Sequence, residues 1–410
     1  MSKKILIIGF VWPEPNSTAA GSRILQLIDI FLNQNYEINF ACAASKNDKS
    51  FPLETLGIKT EIIELNSSNF DVFIKKLKPN IVLFDRYLTE EQYGWRVTEN
   101  CPDSLKILDT EDLHFLRHAR QVAFKIGEKI SIKHLSNDIA KREIASIYRC
   151  DLSLIISKYE HELLTNTFNI PPTLLFYIPF LLNKIDSDII NSYPTYEERQ
   201  HFMTIGNIRH EPNWNAIQYL KKDIWPLIRK ELPSAEMHIY GAYITEKVSQ
   251  LNNAKEGFII KGWAENTEKV FKTHRVCLAP IRFGAGLKGK LIDSMKYGTP
   301  SVTTSIGSEG MVFNSLWNGF VTDEPKEFSK KAIELFNNKN TWEVAQKNGV
   351  DIINNNFLKE QFNSSLINSI DSLQKNISKH RLNNFTGQML NHHTMKSTKY
   401  FSKWIEEKNS

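Results

Sequence analysis

The chain has little of what marks several common protein classes. Four cysteines are present in 410 residues, Cys42, Cys101, Cys150 and Cys277, with no C-x-x-C pair and no histidine cluster beside them. That spacing excludes a zinc knuckle and a redox dithiol. All four lie in or near apolar segments, so they read as buried free thiols in a reducing cytoplasm. The net charge is only +5, with no basic run interleaved with aromatics, which argues against a nucleic-acid partner. No apolar stretch approaches the roughly 18–20 residues that span a bilayer. The apolar part of Met1–Phe10 is too short for a signal peptide and the right length for a first core strand. The expectation is a soluble, cytoplasmic protein, peripheral at a membrane at most. The first apolar run leads into Phe10-Val11-Trp12-Pro13 and not into G-x-G-x-x-G, and a proline cannot supply the amide a pyrophosphate needs there. A nicotinamide dehydrogenase is therefore a poor fit. No repeat of 20–50 residues is found, which excludes solenoids and propellers.

At this length the chain is too long for one ordinary α/β domain and comfortable for two. Its 41% hydrophobic and 24% charged residues are those of a globular protein with a real core. Lys4–Phe10, Glu37–Ala43, Lys59–Leu65, Ile81–Phe84, Lys106–Asp109 and Leu152–Ser157 are apolar enough for parallel strands buried on both faces. Helix-compatible segments lie between them, notably Phe70–Leu77 and Asp112–Tyr148. A second alternation runs from Phe202 to Thr304, with strands at Phe202–Gly206, Met237–Tyr240, Gly257–Lys261, Arg275–Ile281 and Ser301–Thr304. The fold class is α/β, with two doubly wound, Rossmann-like domains facing across a cleft. We assign residues 1–182 to an N-terminal acceptor-side domain, 183–200 to a linker, 201–356 to a C-terminal donor domain and 357–410 to a helical tail. Within the tail, Ser397–Lys408 reads as an amphipathic helix that would pack back on the protein or lie on a membrane surface.

The densest chemical signal is Pro280-Ile281-Arg282-Phe283-Gly284-Ala285-Gly286-Leu287-Lys288-Gly289-Lys290, after a strand and opening a helix that carries Asp293. Ligands bind beyond the carboxyl ends of strands in doubly wound sheets. Gly284 and Gly286 let the backbone approach a ligand, and free amides at the helix start favour phosphate. Arg282, Lys288 and Lys290 add positive charge, and Asp293 is placed to accept hydrogens from ribose or sugar hydroxyls. Asp186-Ser187-Asp188 has the D-x-D form of metal-using transferases of another fold, but falls in the linker, where it reads as turn or cap chemistry.

This turn, with Asp293, Met295, Gly298 and Pro300 behind it, resembles the donor region of the retaining GT-B glycosyltransferases called group 1, or family 4. Phe202–Asn213, Ile239-Tyr240-Gly241, Lys261-Gly262-Trp263 and Thr303–Met311 extend the resemblance along the second half. It implies a nucleoside-diphosphate sugar as donor, an acceptor that is a glycan, lipid or protein, and no metal or other cofactor. By it, Arg209 and Lys288 would hold the donor diphosphate, and Gly21 with Arg23 would belong to the first loop. The wider family has two glutamates eight positions apart. Here the second is Asp293 and the first is Ala285, so one carboxylate is missing.

In the first half, Pro15–Gly21 follows the first strand and precedes a helix, so its amides can face the cleft. Asp85-Arg86-Tyr87 to Glu90-Glu91 and Asp109-Thr110-Glu111-Asp112-Leu113-His114 are polar clusters at strand ends. Acids and imidazole this dense are costly to bury without partners, so the second cluster must face water or a ligand. The family's His-Asp near this strand end touches the donor sugar, and Asp112 and His114 are the residues we assign to that role. Ser157 and Glu160 read as helix caps. Two other readings compete with a transferase for polysaccharide assembly: a non-catalytic sugar-nucleotide-binding subunit, and a GT-B epimerase.

Overall fold

The computed structural model describes residues 3–312 and 315–409, so Met1, Ser2, Phe313, Asn314 and Ser410 of the expected domains lie outside the described residues. The first sheet has seven parallel strands: β1 (Lys4–Gly9), β2 (Glu37–Cys42), β3 (Lys59–Ile62), β4 (Ile81–Asp85), β5 (Leu105–Asp109), β6 (Leu152–Ile155) and β7 (Leu175–Tyr177). Their order is β3-β2-β1-β4-β5-β6-β7. The second sheet has β8 (Gln200–Ile205), β9 (Met237–Tyr240), β10 (Phe258–Gly262), β11 (His274–Ala279), β12 (Ser301–Thr303) and β13 (Gly319–Val321), ordered β10-β9-β8-β11-β12-β13. Each sheet changes direction of winding beside its first strand, between β1 and β4 and between β8 and β11. Crevices for ligands form at such switch points.

The unbroken apolar runs are explained by burial on both faces. Ile5–Ile8 lie between Ile38–Ala41 and Ile81–Phe84, with Ile5 and Ile7 in one core and Leu6 and Ile8 in the other. The four cysteines are free, three of them buried. β7 and β13, three residues each, carry too few apolar positions to stand out in the sequence. The expected helix Asp112–Tyr148 is three helices, His114–Ile126, Ile132–Leu135 and Asp138–Arg149. The first ends because Gly127 takes a left-handed conformation (φ 71°) after it.

The C-terminal stretch is part of the first domain. The chain crosses back where Leu182 and Phe357 share a backbone bond (2.7 Å), and helix Lys359–Lys375 then places Leu366 and Ile370, fully buried, in the first domain's core. Arg381 forks onto both oxygens of Asp151 at 2.8 Å. The last helix, Phe385–Asn409, runs along the domain and is held there by Ser402 against Arg96 and by Glu406 on the Ser68 amide. Among the described residues no helix is long and apolar enough to cross a membrane.

At the amino ends of β9 and β11 a histidine chain ties the second sheet together. His274 Nδ1 faces the Val270 carbonyl at 2.6 Å, and His274 Nε2 lies 2.8 Å from His238 Nδ1. His238 Nε2 meets Glu236 Oε2 at 2.7 Å. Burial lowers the pKa at which His274 takes a second proton from 6.5 to about 4. The folded state therefore binds this proton later than the unfolded state does. Stability from this group is complete above pH 6.5 and is lost as pH falls toward 4, by about 3 kcal/mol in all. Melting temperature against pH should fall more steeply over that window in the natural chain than in His274→Gln; parallel curves would remove the linkage.

Candidate functional site

A cavity of about 450 Å³ lies between the carboxyl ends of the two sheets. From the second domain it is lined by Gly284–Lys290 and Asp293, and from the first by Asn16–Ala20, Arg86, Glu111, Asp112 and His114. β11 delivers the turn and helix Gly289–Lys296 carries Asp293 away from it. Gly286 has φ 63°, and a Cβ there would stand 2.7 Å from Asp112 Cβ. Only glycine allows both the conformation and the close approach of the two domains.

Lys288 and Lys290 enter the cavity from the donor side. Lys288 is nearly buried and gives a proton to the Gly286 carbonyl at 2.8 Å; Lys290 gives one to Asn213 Oδ1 at 2.8 Å. Burial lowers both pKa values to about 8, with Glu309 working against the fall at Lys288. Burial also raises Asp293 to about 6. Two cations beside one cavity, Lys288 buried and Lys290 half-buried, each with a single neutral acceptor, suit an anion.

Across the cavity, Asp112 is paired with Arg117 and burial is outweighed there, so its pKa lies below the usual range. His114 Nδ1 meets the Asp112 carbonyl at 3.0 Å, which leaves Nε2 for a ligand. These two sequence candidates, with Gly284, Gly286, Lys288, Lys290 and Asp293, come together around one space. Two others do not. Arg209 is exposed and stacks on Tyr243, 4.4 Å from its ring centre, so Lys290 and not Arg209 stands with Lys288 at the cavity. Gly21 is outside the lining: its amide is taken by the Thr18 hydroxyl (3.0 Å), and its missing side chain lets the Glu14 backbone pack against the helix. Arg23 is buried in a forked bond to Asp109. Asp186 caps helix Ser187–Asn191 through the Ile189 amide, away from the cavity.

Glu160 is more than a cap. It is buried, and its Oε1 accepts the amides of Leu113 (3.0 Å) and Gly286 (2.8 Å), one from each domain. Burial raises its pKa to about 8. Arg120 crosses the cleft as well, binding both Glu309 oxygens at 2.7 Å and the Gly284 carbonyl at 2.8 Å. Neither residue carries a local motif, so only their place in space marks them.

Residues 199–338 match the family model described as Glycosyl transferases group 1. TarM of S. aureus, in a complex with fondaparinux, alpha-GlcNAc-glycerol and UDP, has TM-score 0.69 at 10% identity, over 90% of this chain and 99% of that one. HepE of Anabaena, in complex with UDP and glucose, has TM-score 0.68 at 12% identity, over 90% of this chain and 100% of that one. The chain has the GT-B fold and resembles the group 1 glycosyltransferases. A relative from Klebsiella pneumoniae, described as an uncharacterized 44.6 kDa protein in cps region, is 24% identical over 301 residues, 69% of this chain and 73% of the relative. The group 1 match takes in β8, β11 and the whole Gly284–Asp293 turn, the second-domain side of the cleft.

Removing one partner of a buried ion pair costs about 3–5 kcal/mol. Since the Arg120–Glu309 pair spans the two domains and lies outside the core of either, Arg120→Ala should weaken their closure more than the folding of either. Small-angle scattering should show a larger radius of gyration for the variant, with far-UV circular dichroism unchanged. An unaltered scattering curve would mean that the pair does not hold the cleft.

Proposed function

We propose that the chain is a glycosyltransferase that takes a sugar from a nucleoside-diphosphate sugar and passes it to a hydroxyl of an acceptor on the first domain. The observation that carries this reading is the pair of lysines, Lys288 buried and Lys290 half-buried, that line the cavity beside a glycine turn at a helix start. That arrangement suits the charge that develops on a departing diphosphate. TarM and HepE are both described with UDP, which makes uridine diphosphate the first nucleotide to test. The two ammonium groups neutralise the leaving group without a metal ion. Asp293 would hold ribose or sugar hydroxyls, and Asp112 with His114 would face the sugar from the other wall.

Retention of configuration fits the group 1 resemblance. The acceptor hydroxyl would attack on the face the diphosphate leaves, its proton passing to a phosphate oxygen. Glu309 would not stand in for the carboxylate missing at Ala285, since Arg120 engages it. A non-catalytic subunit or an epimerase would use the same cleft, and no contact favours either. Any peripheral contact with a membrane would fall to Tyr400, Phe401 and Trp404, which the last helix leaves exposed.

In a thermal-shift assay with UDP, GDP, ADP and TDP, one diphosphate should raise the melting temperature, equally in EDTA. Lys288→Ala should weaken that nucleotide roughly 10–100-fold, the value of one charge-assisted hydrogen bond. No shift with any of the four would overturn the donor site.

The pH dependence is a separate test. Both lysines lose their charge near pH 8 in the free protein. Nucleotide affinity, measured by titration calorimetry, should be steady below that pH and decline above it. Affinity that holds constant to pH 9.5 would mean the lysines do not bind the phosphates.

A further inference from the structure

The first-domain side of the cavity holds a second group of residues that the diphosphate does not need. Glu111 follows β5 and lines the cavity; it is 8% exposed, and its Oε1 has no hydrogen-bond partner among the described residues. Asp85, at the end of neighbouring β4, is 5% exposed, and its Oδ1 is equally unpartnered. Its other oxygen accepts the Phe10 amide at 3.0 Å. Burial raises the pKa of both carboxyl groups. Arg86 also lines the cavity, its guanidinium 5.2 Å from the Phe10 ring centre and 3.7 Å from Asp85 Oδ2. Phe10 lines the cavity too and keeps 40% of its surface exposed.

The backbone gives an independent sign. Arg86 and Glu111 both have positive φ, 71° and 61°, a conformation unfavourable for long side chains. Strain of this kind persists where the surroundings impose it, and it gathers at ligand sites. Here two strained residues follow adjacent parallel strands and line the same cavity. An orphaned buried carboxyl oxygen also needs a reason. Asp109, between them in the sheet, is not available, since Arg23 occupies it.

We propose that Glu111, Arg86 and Phe10, which line the cavity, form the acceptor subsite with Asp85 next to them at the end of β4, and that the acceptor group they take is a sugar ring, held by its hydroxyls on Glu111 and by its C–H face on Phe10. This rests on the glycosyltransferase reading. Hydroxyl donors complete the two carboxyl groups, and the guanidinium donates to ring or hydroxyl oxygens. A phosphate or carboxylate would meet Asp85, Glu111, Asp109 and Asp112 together. An alkyl chain would leave both carboxyl oxygens unsatisfied. Glu111 directly precedes Asp112, which abuts Gly286, so a sugar bound there lies against the donor turn.

The test uses the full chain saturated with UDP and a panel of methyl glycosides of common hexoses, N-acetylhexosamines and 6-deoxyhexoses, read by saturation-transfer NMR. At least one glycoside should bind. Its affinity should fall tenfold or more in Glu111→Gln and in Phe10→Ala, while both variants keep the natural affinity for UDP. Lys288→Ala, without UDP, should keep the glycoside. Glu111→Gly separates binding from structure: it relieves the left-handed backbone and removes the orphaned carboxyl group, so it should melt no lower than the natural chain and yet lose the glycoside. Binding unchanged in Glu111→Gln and Phe10→Ala, no binding by any glycoside, or a clear drop in the melting temperature of Glu111→Gly would overturn the proposal. Failure of UDP to bind the natural chain would strike the donor site instead, and the glycoside result would still decide this one.

Discussion

Arg120 reaches from the first domain to two segments of the second, the glycine turn before helix Gly289–Lys296 and the residue that follows helix Ser305–Ser308. One guanidinium holds the carbonyl of Gly284 in that turn and the carboxylate of Glu309. A charged pair in this position is tolerable only when its groups are well matched, since desolvation otherwise outweighs attraction. The match here is a planar fork on a planar carboxylate. Arg120 belongs to helix His114–Ile126, whose first turn carries His114 and follows Asp112. The wall of the cavity and the clamp across it are therefore one rigid element. Glu160 adds a second tie, holding the Leu113 amide that starts this helix and the Gly286 amide of the facing turn. Gly286 must be glycine because these two ties bring it against Asp112.

The same constraint orders the charges. Around the cavity almost every buried acid has its own partner. Asp109 has Arg23, Glu90 has Arg149, and Glu143 receives the amides of His114 and Phe115 at the helix start. What remains after this pairing is asymmetric. On the second-domain side lysines enter, Lys288 and Lys290, and on the first-domain side the unpartnered groups are carboxyl oxygens, at Asp85, Glu111 and Glu160. An anion and a hydroxyl-rich group each find their complement within one cavity.

Much of this was legible in the sequence, and the exceptions share a cause. Buried parallel strands such as Ile5–Ile8 are apolar at every position, so they stand out, as does a turn that gathers two glycines and three basic residues. Helix Arg86–Asn100 did not stand out. It buries Glu90 and Arg96, which look solvent-facing in sequence and are in fact paired with Arg149 and Asp71 from distant elements. The C-terminal helices looked like a polar tail because their links to the first domain also run through polar groups, Arg381 to Asp151 and Ser402 to Arg96. Where Arg209 stands could not be read locally either, because it is set by Tyr243, whose ring it meets from the loop after the next strand. Partnerships between residues far apart in sequence leave no local pattern.

The rim of the cleft is built differently from its floor. Tyr243 donates to the Glu14 carboxylate at 2.7 Å, Trp263 Nε1 to the Asn16 carbonyl at 3.3 Å, and Lys49 lies over both rings. Trp263 keeps 42% of its surface exposed, so water competes for these contacts in a way it cannot at Arg120. Each rim contact is worth a fraction of the buried pair. The two domains thus meet through buried ties at Arg120 and Glu160 and through water-accessible ones at Tyr243 and Trp263, the latter beside Asn16–Ala20 and the start of the first helix.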